Sequence, residues 1–155
     1  MAIKLYLHKT GQVEPQLVEI NESITVTALI TEHGEETDSA WLEDGDELVV
    51  ERTLVEVVKE RDHIYIGRCR EVNVTVRHGR PEGKPHDFTP STTVQKALDW
   101  AVGPDGFNLP ASERTTYGLF VPGSQTPLDS AEHIAVVATD CRVTLDLAPK
   151  NRHQG

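Results

Sequence analysis

A chain of 155 residues with a formal net charge of −10 is a poor partner for nucleic acid, whose phosphates would repel it. No stretch approaches the roughly 20 apolar residues needed to cross a bilayer, and Met1-Ala2-Ile3-Lys4-Leu5 begins as a strand instead of a signal peptide. The expectation is a cytoplasmic protein with no nucleic-acid and no membrane partner, and basic proteins suit its charge better. Cys69 and Cys141 form no CxxC pair and are expected to be reduced in that compartment.

The charge is uneven. Residues 1–68 hold 6 Lys+Arg against 15 Asp+Glu, net −9, while residues 69–155 hold 9 against 10, net −1. This contrast suggests two modules with different surfaces.

Ile3, Leu5 and Leu7 alternate with Lys4, Tyr6 and His8 as a half-buried strand does, and Gln16 to Ile20 returns after a Thr10-Gly11-Gln12 turn. Asn21 and Ser23 are candidate caps for a helix over Ile24–Ile30, with His33-Gly34 as its stop. Its β-branched residues would also suit a strand. Ser39–Leu42, the turn Glu43-Asp44-Gly45-Asp46-Glu47 and Leu48–Val50 read as a hairpin. A short helical turn at Thr53–Lys59 and a closing strand His63–Ile66 complete the unit.

The order then repeats. Val72, Val74 and Val76 alternate, Lys84–Thr89 returns, and Val94, Ala97, Leu98 and Ala101 take helical spacing behind Pro90-Ser91-Thr92. A long connector, Gly103–Thr116, leads to a strand at Thr116–Val121 and the turn Pro122-Gly123-Ser124-Gln125. After Pro127-Leu128-Asp129 come a short helix within Ser130–Val137 and the strand Val143–Leu147. The units are joined by only Gly67-Arg68-Cys69-Arg70, so a restricted mutual orientation is expected.

Two strands, a helix, two strands, a short helix and a strand in 70–80 residues resemble the β-grasp plan of ubiquitin. Trp41-Leu42-Glu43-Asp44-Gly45-Asp46 with Thr53-Leu54 and Asp62-His63-Ile64-Tyr65-Ile66 resembles ubiquitin's approach to its last strand. Phe120-Val121-Pro122-Gly123 with Pro127-Leu128-Asp129 resembles the same region again. The chain is thus similar to tandem ubiquitin-like proteins, above all the bacterial two-domain modifiers of antiphage conjugation operons. The resemblance implies an α+β fold of two β-grasp domains, residues 1–67 and 71–147, each a mixed sheet wrapped on one helix, with a tail at 148–155.

It also implies a role. An E1-like activating enzyme would use ATP to adenylate Gly155, and an E2-like conjugating enzyme would pass it to target proteins. A JAB-type metalloprotease would remove it. Lys150, Asn151, Arg152, His153 and Gln154 would present the terminus to these enzymes, and Glu43, Asp44, Asp46 and Glu47 are candidates for docking a basic enzyme surface. The ending His153-Gln154-Gly155 departs from the Gly-Gly of ubiquitin. Alternatives are a non-conjugated tandem adaptor, a sulfur carrier using Gly155, or a tail that is only a frayed end.

No catalytic set stands out in the sequence: it contains no HExxH and no GxSxG, so the chain is expected to be a substrate of enzymes and not an enzyme. No bound cofactor or metal is expected. His78, His86 and Asp87 come nearest to a metal set, and solvated turn histidines explain them as well.

Overall fold

In the computed structural model, which describes residues 2–12 and 14–150, the N-terminal alternation becomes β1 (Ala2–His8), with Leu5 and Leu7 fully buried. It pairs antiparallel with β2 (Gln16–Asn21). The β-branched run is a helix, α1 (Val26–His33), but it starts later than its candidate caps. Asn21 Oδ1 instead accepts from the amide and hydroxyl of Ser23, a local turn, and Thr25 caps the helix by accepting from the Ala28 amide at 3.1 Å.

β3 (Ser39–Leu42), α2 (Leu54–Val57) and β4 (His63–Gly67) complete the first domain. The expected strand at Leu48–Val50 is not formed. The chain pairs with β3 at the single Trp41–Glu47 bridge, made by the Leu48 amide to the Ala40 carbonyl at 2.8 Å and the Leu42 amide to the Asp46 carbonyl at 3.1 Å. Leu48 is buried while Val49 and Val50 face solvent, so the segment bends away after one contact.

The second domain repeats the plan: β5 (Val72–Arg77), β6 (Lys84–Phe88), α3 (Val94–Val102), α4 (Ala111–Arg114), β7 (Tyr117–Phe120), α5 (Ile134–Val137) and β8 (Arg142–Pro149). The one-turn helix α4 interrupts what read as a plain connector. Strand β8 runs two residues past the expected Leu147, because Ala148 and Pro149 still pair with Gly118 and Tyr117.

The sheets have the same order, β2-β1-β4-β3 and β6-β5-β8-β7, with a parallel central pair flanked by antiparallel strands. Their registers equate Leu7 with Val76 and Ile64 with Leu145. Each long helix packs its apolar face on its own sheet: Val26, Leu29 and Ile30 in the first, Val94, Ala97, Leu98 and Ala101 in the second. This is the tandem β-grasp architecture.

The cysteines are not reduced. Cys69, in the connector, and Cys141, just before β8, form a disulfide with Cα atoms 5.6 Å apart. The Asn73 amide bonds to the Cys141 carbonyl, which brings the start of β5 against the start of β8. Proximity decides over compartment here, and the parallel β5–β8 pairing that creates it is invisible in cysteine spacing.

Candidate functional site

Two regions hold the candidate residues: the end of β8 and the seam between the domains. At the end of β8, the Lys150 amide bonds to the Thr116 carbonyl at 2.8 Å and Lys150 Nζ donates to the Thr115 carbonyl at 3.2 Å. Lys150 is therefore tied to the body of the second domain. Asn151, Arg152, His153, Gln154 and Gly155 lie outside the described residues.

The acidic turn, residues 43–47, bonds largely within the chain. Glu43, Asp44 and Glu47, read as a face for a basic enzyme, are used within the chain. Asp44 sits at φ +52°, a left-handed conformation that its second-domain counterpart meets with a glycine, Gly123, at φ +86°. From there the Asp44 carboxylate accepts from the Thr93 amide at 2.8 Å and from the Thr93 hydroxyl at 3.2 Å. Thr93 caps α3 through its own Oγ1, so the first domain secures the start of the second domain's helix. The Asp44 amide bonds to the Ser91 carbonyl, and the fully buried Ser91 donates its hydroxyl to the Leu42 carbonyl at 2.6 Å. Glu47 pairs with Arg70 at 2.8 Å. Of the four, only Asp46 has no side-chain partner among the described residues.

Apolar packing joins the two sides. Trp41 and Tyr65 come from the first sheet but are buried in the core cluster of the second domain. Thr10 donates its hydroxyl to the Ala135 carbonyl at 3.2 Å and accepts from the Tyr65 hydroxyl at 3.0 Å, since a threonine has one proton to give. The Gly11 amide bonds to the Val136 carbonyl. The short connector's restricted orientation is in this way a packed interface.

Four titratable side chains meet inside the seam. His8 Nε2 lies 2.8 Å from His63 Nδ1, and the His8 ring stacks on His133 at 3.7 Å. His133 Nε2 donates to Glu43 Oε2 at 2.7 Å. His8 and His133 are buried, whereas Glu43 and His63 are half-buried. Burial and the neighbouring His133 and His63 push the His8 pKa down to about 3, against a small opposing pull from Glu43. Burial would raise Glu43, but the hydrogen bond from His133 and the charges of the three histidines hold it below the usual carboxylate range. His133 Nδ1 is buried without a partner among the described residues, and the proton sits on Nε2, facing Glu43.

Matching registers leave Arg77, Thr144 and Pro122 where the first domain has His8, His63 and Glu43. The bridges Thr25–Thr53 and Thr93–His133 equate His133 with Thr53. The histidine cluster is thus a point where the two copies differ, and that asymmetry was the available signal in the sequence.

The set His78, His86 and Asp87 does not assemble. His78 rests edge-on against Phe107 and Tyr117, His86 stacks on Trp100, and Asp87 accepts from Asn73. The group whose ligand atoms lie within 4.8 Å of one another among the described residues is His8, Glu43 and His63. No helix among the described residues is long and apolar enough to cross a membrane.

Residues 73–150 match the family described as BilA ubiquitin-like domain 2. No curated protein matches the chain. The matched segment runs from the first strand of the second domain to Lys150, past the end of its last, and half of the chain lies within it. Built as two copies of the ubiquitin plan, the chain belongs to the BilA ubiquitin-like domain 2 family.

Proposed function

We propose that this protein is a ubiquitin-like modifier, conjugated through Gly155 to amines of target proteins in bacterial antiphage defence, within the cytoplasm. The observation that carries the reading is the course of β8: the family match ends with Lys150 tied to the second domain, and the five residues that follow end in glycine. Those five can extend at most about 17 Å, enough to reach a recessed site. Glycine at the end suits a narrow channel because no side chain obstructs it.

In this reading an E1-like activating enzyme brings ATP, and the Gly155 carboxylate attacks the α-phosphate and releases pyrophosphate. A cysteine thiolate of the enzyme then displaces AMP to give a thioester. Transfer to an E2-like conjugating enzyme follows, and a target amine releases the thiol as the amide forms. A JAB-type metalloprotease hydrolyses that amide. The chain itself supplies the acyl group and the recognition surface.

The test is incubation with a cognate activating enzyme and ATP. A thioester sensitive to reductant, absent after deletion of residues 152–155, is the expected result. No adduct, or an equal adduct from the truncated chain, removes the proposal. The seam supports a second reading, a non-conjugated adaptor that holds two β-grasp surfaces at a fixed angle. Activity of the truncated chain in its cellular context would favour it.

A further inference from the structure

We propose that the seam between the domains is a transition-metal site in which His8 Nε2, His63 Nδ1 and a Glu43 carboxylate oxygen bind one zinc-class divalent ion. Nothing in this inference depends on conjugation. The three ligand atoms already lie within 4.8 Å of one another, and the two imidazole nitrogens are 2.8 Å apart. Tetrahedral ligands about 2.1 Å from zinc stand about 3.4 Å apart, so the rings need to open by roughly 0.6 Å. His63 can supply that movement, because it is half-exposed and held on one side by stacking on Tyr6 at 4.7 Å.

The proton shared between the two rings moves to a far ring nitrogen, and both lone pairs turn to the ion. Two imidazoles and a carboxylate form a donor set suited to zinc, nickel, cobalt or copper and poorly suited to magnesium or calcium. A water molecule completes the coordination, because Glu43 is partly open to solvent.

The surroundings are those of a supported site. His133 Nε2 holds Glu43 Oε2 at 2.7 Å, the carboxylate bond from outside the ligand set that usually orients such a ligand. The fully buried His133 ring has no other hydrogen bond among the described residues, its Nδ1 lacking a partner. It therefore acts as a positioning residue supplied by the second domain to a site built by the first. The corresponding positions in the second domain are Arg77, Thr144 and Pro122, none of them an imidazole or a carboxylate.

The experiment uses the full chain without an affinity tag, stripped of metal and titrated with Zn2+ against a chromophoric chelator, with Co2+ absorption as a second readout. One ion per chain is expected, with affinity falling at least about 100-fold in His63→Ala and 10- to 100-fold in Glu43→Gln. His86→Ala should bind as the parent does. Binding unchanged in both His63→Ala and Glu43→Gln would overturn the site and point to histidines elsewhere, His153 included. Absence of binding to the parent chain would also overturn it. If the variants lose their fold, ring-nitrogen NMR of the parent decides. Zn2+ must move His8 Nε2 and His63 Nδ1, and failure to move them refutes the proposal.

Discussion

Replacing Asp44 by alanine removes a carboxylate that accepts two hydrogen bonds from Thr93, at 2.8 and 3.2 Å, across the seam. Thr93 is buried, so its amide is left without an acceptor, and the hydroxyl that caps α3 loses the group that orients it. Hydrogen bonds to a charged acceptor contribute about 1.5–3 kcal/mol, and partial exposure of Asp44 places the loss near about 2 kcal/mol. Alanine must also hold φ +52°, which costs about a further 1 kcal/mol. The expected total is about 3 kcal/mol. Asp44→Gly removes the carboxylate without the backbone strain and should lose about 2 kcal/mol. Asp44→Asn keeps an acceptor and tolerates the left-handed conformation, so about 1 kcal/mol is expected. Urea unfolding followed by tryptophan fluorescence suits the measurement, because Trp41 lies in the seam and Trp100 in the second domain. An alanine variant within about 0.5 kcal/mol of the parent, the range of inconsequential surface changes, would refute the idea that this carboxylate joins the domains.

Trp41→Ala should cost about 3–5 kcal/mol through the cavity it opens in the second domain's core. Trp41→Phe should cost less than about 1.5 kcal/mol, since it also removes a buried indole N–H that has no acceptor among the described residues; chemical denaturation separates the two. The disulfide closes a loop with a sequence separation of 72, so the oxidised chain should exceed Cys69→Ser/Cys141→Ser in stability by about 4 kcal/mol. Burial pushes the Tyr65 phenol above its ordinary value of 10.0. A folded pKa raised in this way gives stability that is full below pH 10 and is lost as pH rises past it. Alkaline difference absorbance should show one of the three tyrosines titrating late, and Tyr65→Phe should flatten the loss of stability at high pH.

Most of the element order was readable because alternation and helical spacing report local burial. Val72–Val76 and Val94–Ala101 are the plainest cases, and the duplication reinforced every element it touched. What could not be read was what depends on distance in the fold. Asp44 and Glu43 read in sequence as part of an acidic hairpin turn, and only the docking of the second domain shows that they face Thr93 and His133. His8, His63 and His133 share no motif spacing; a parallel strand pair and a packed seam bring them together. Cys69 and Cys141 are the same kind of case, since the β5–β8 pairing sets their proximity. Leu48–Val50 failed for a local reason, because its apolar content matches a strand although only Leu48 is needed in the core.

Trp41 and Tyr65 belong to the first domain by sequence and to the second by packing. During synthesis the first domain leaves the ribosome with these two aromatic faces uncovered. They stay so until Ile134, Ala135 and the rest of the second core have been made. At about 5–20 residues per second that interval lasts several seconds, longer than small domains need to fold. A chain stalled or cleaved within the second domain would therefore present a sticky aromatic patch instead of a finished half. The seam makes completeness of the tandem a condition for a well-behaved surface.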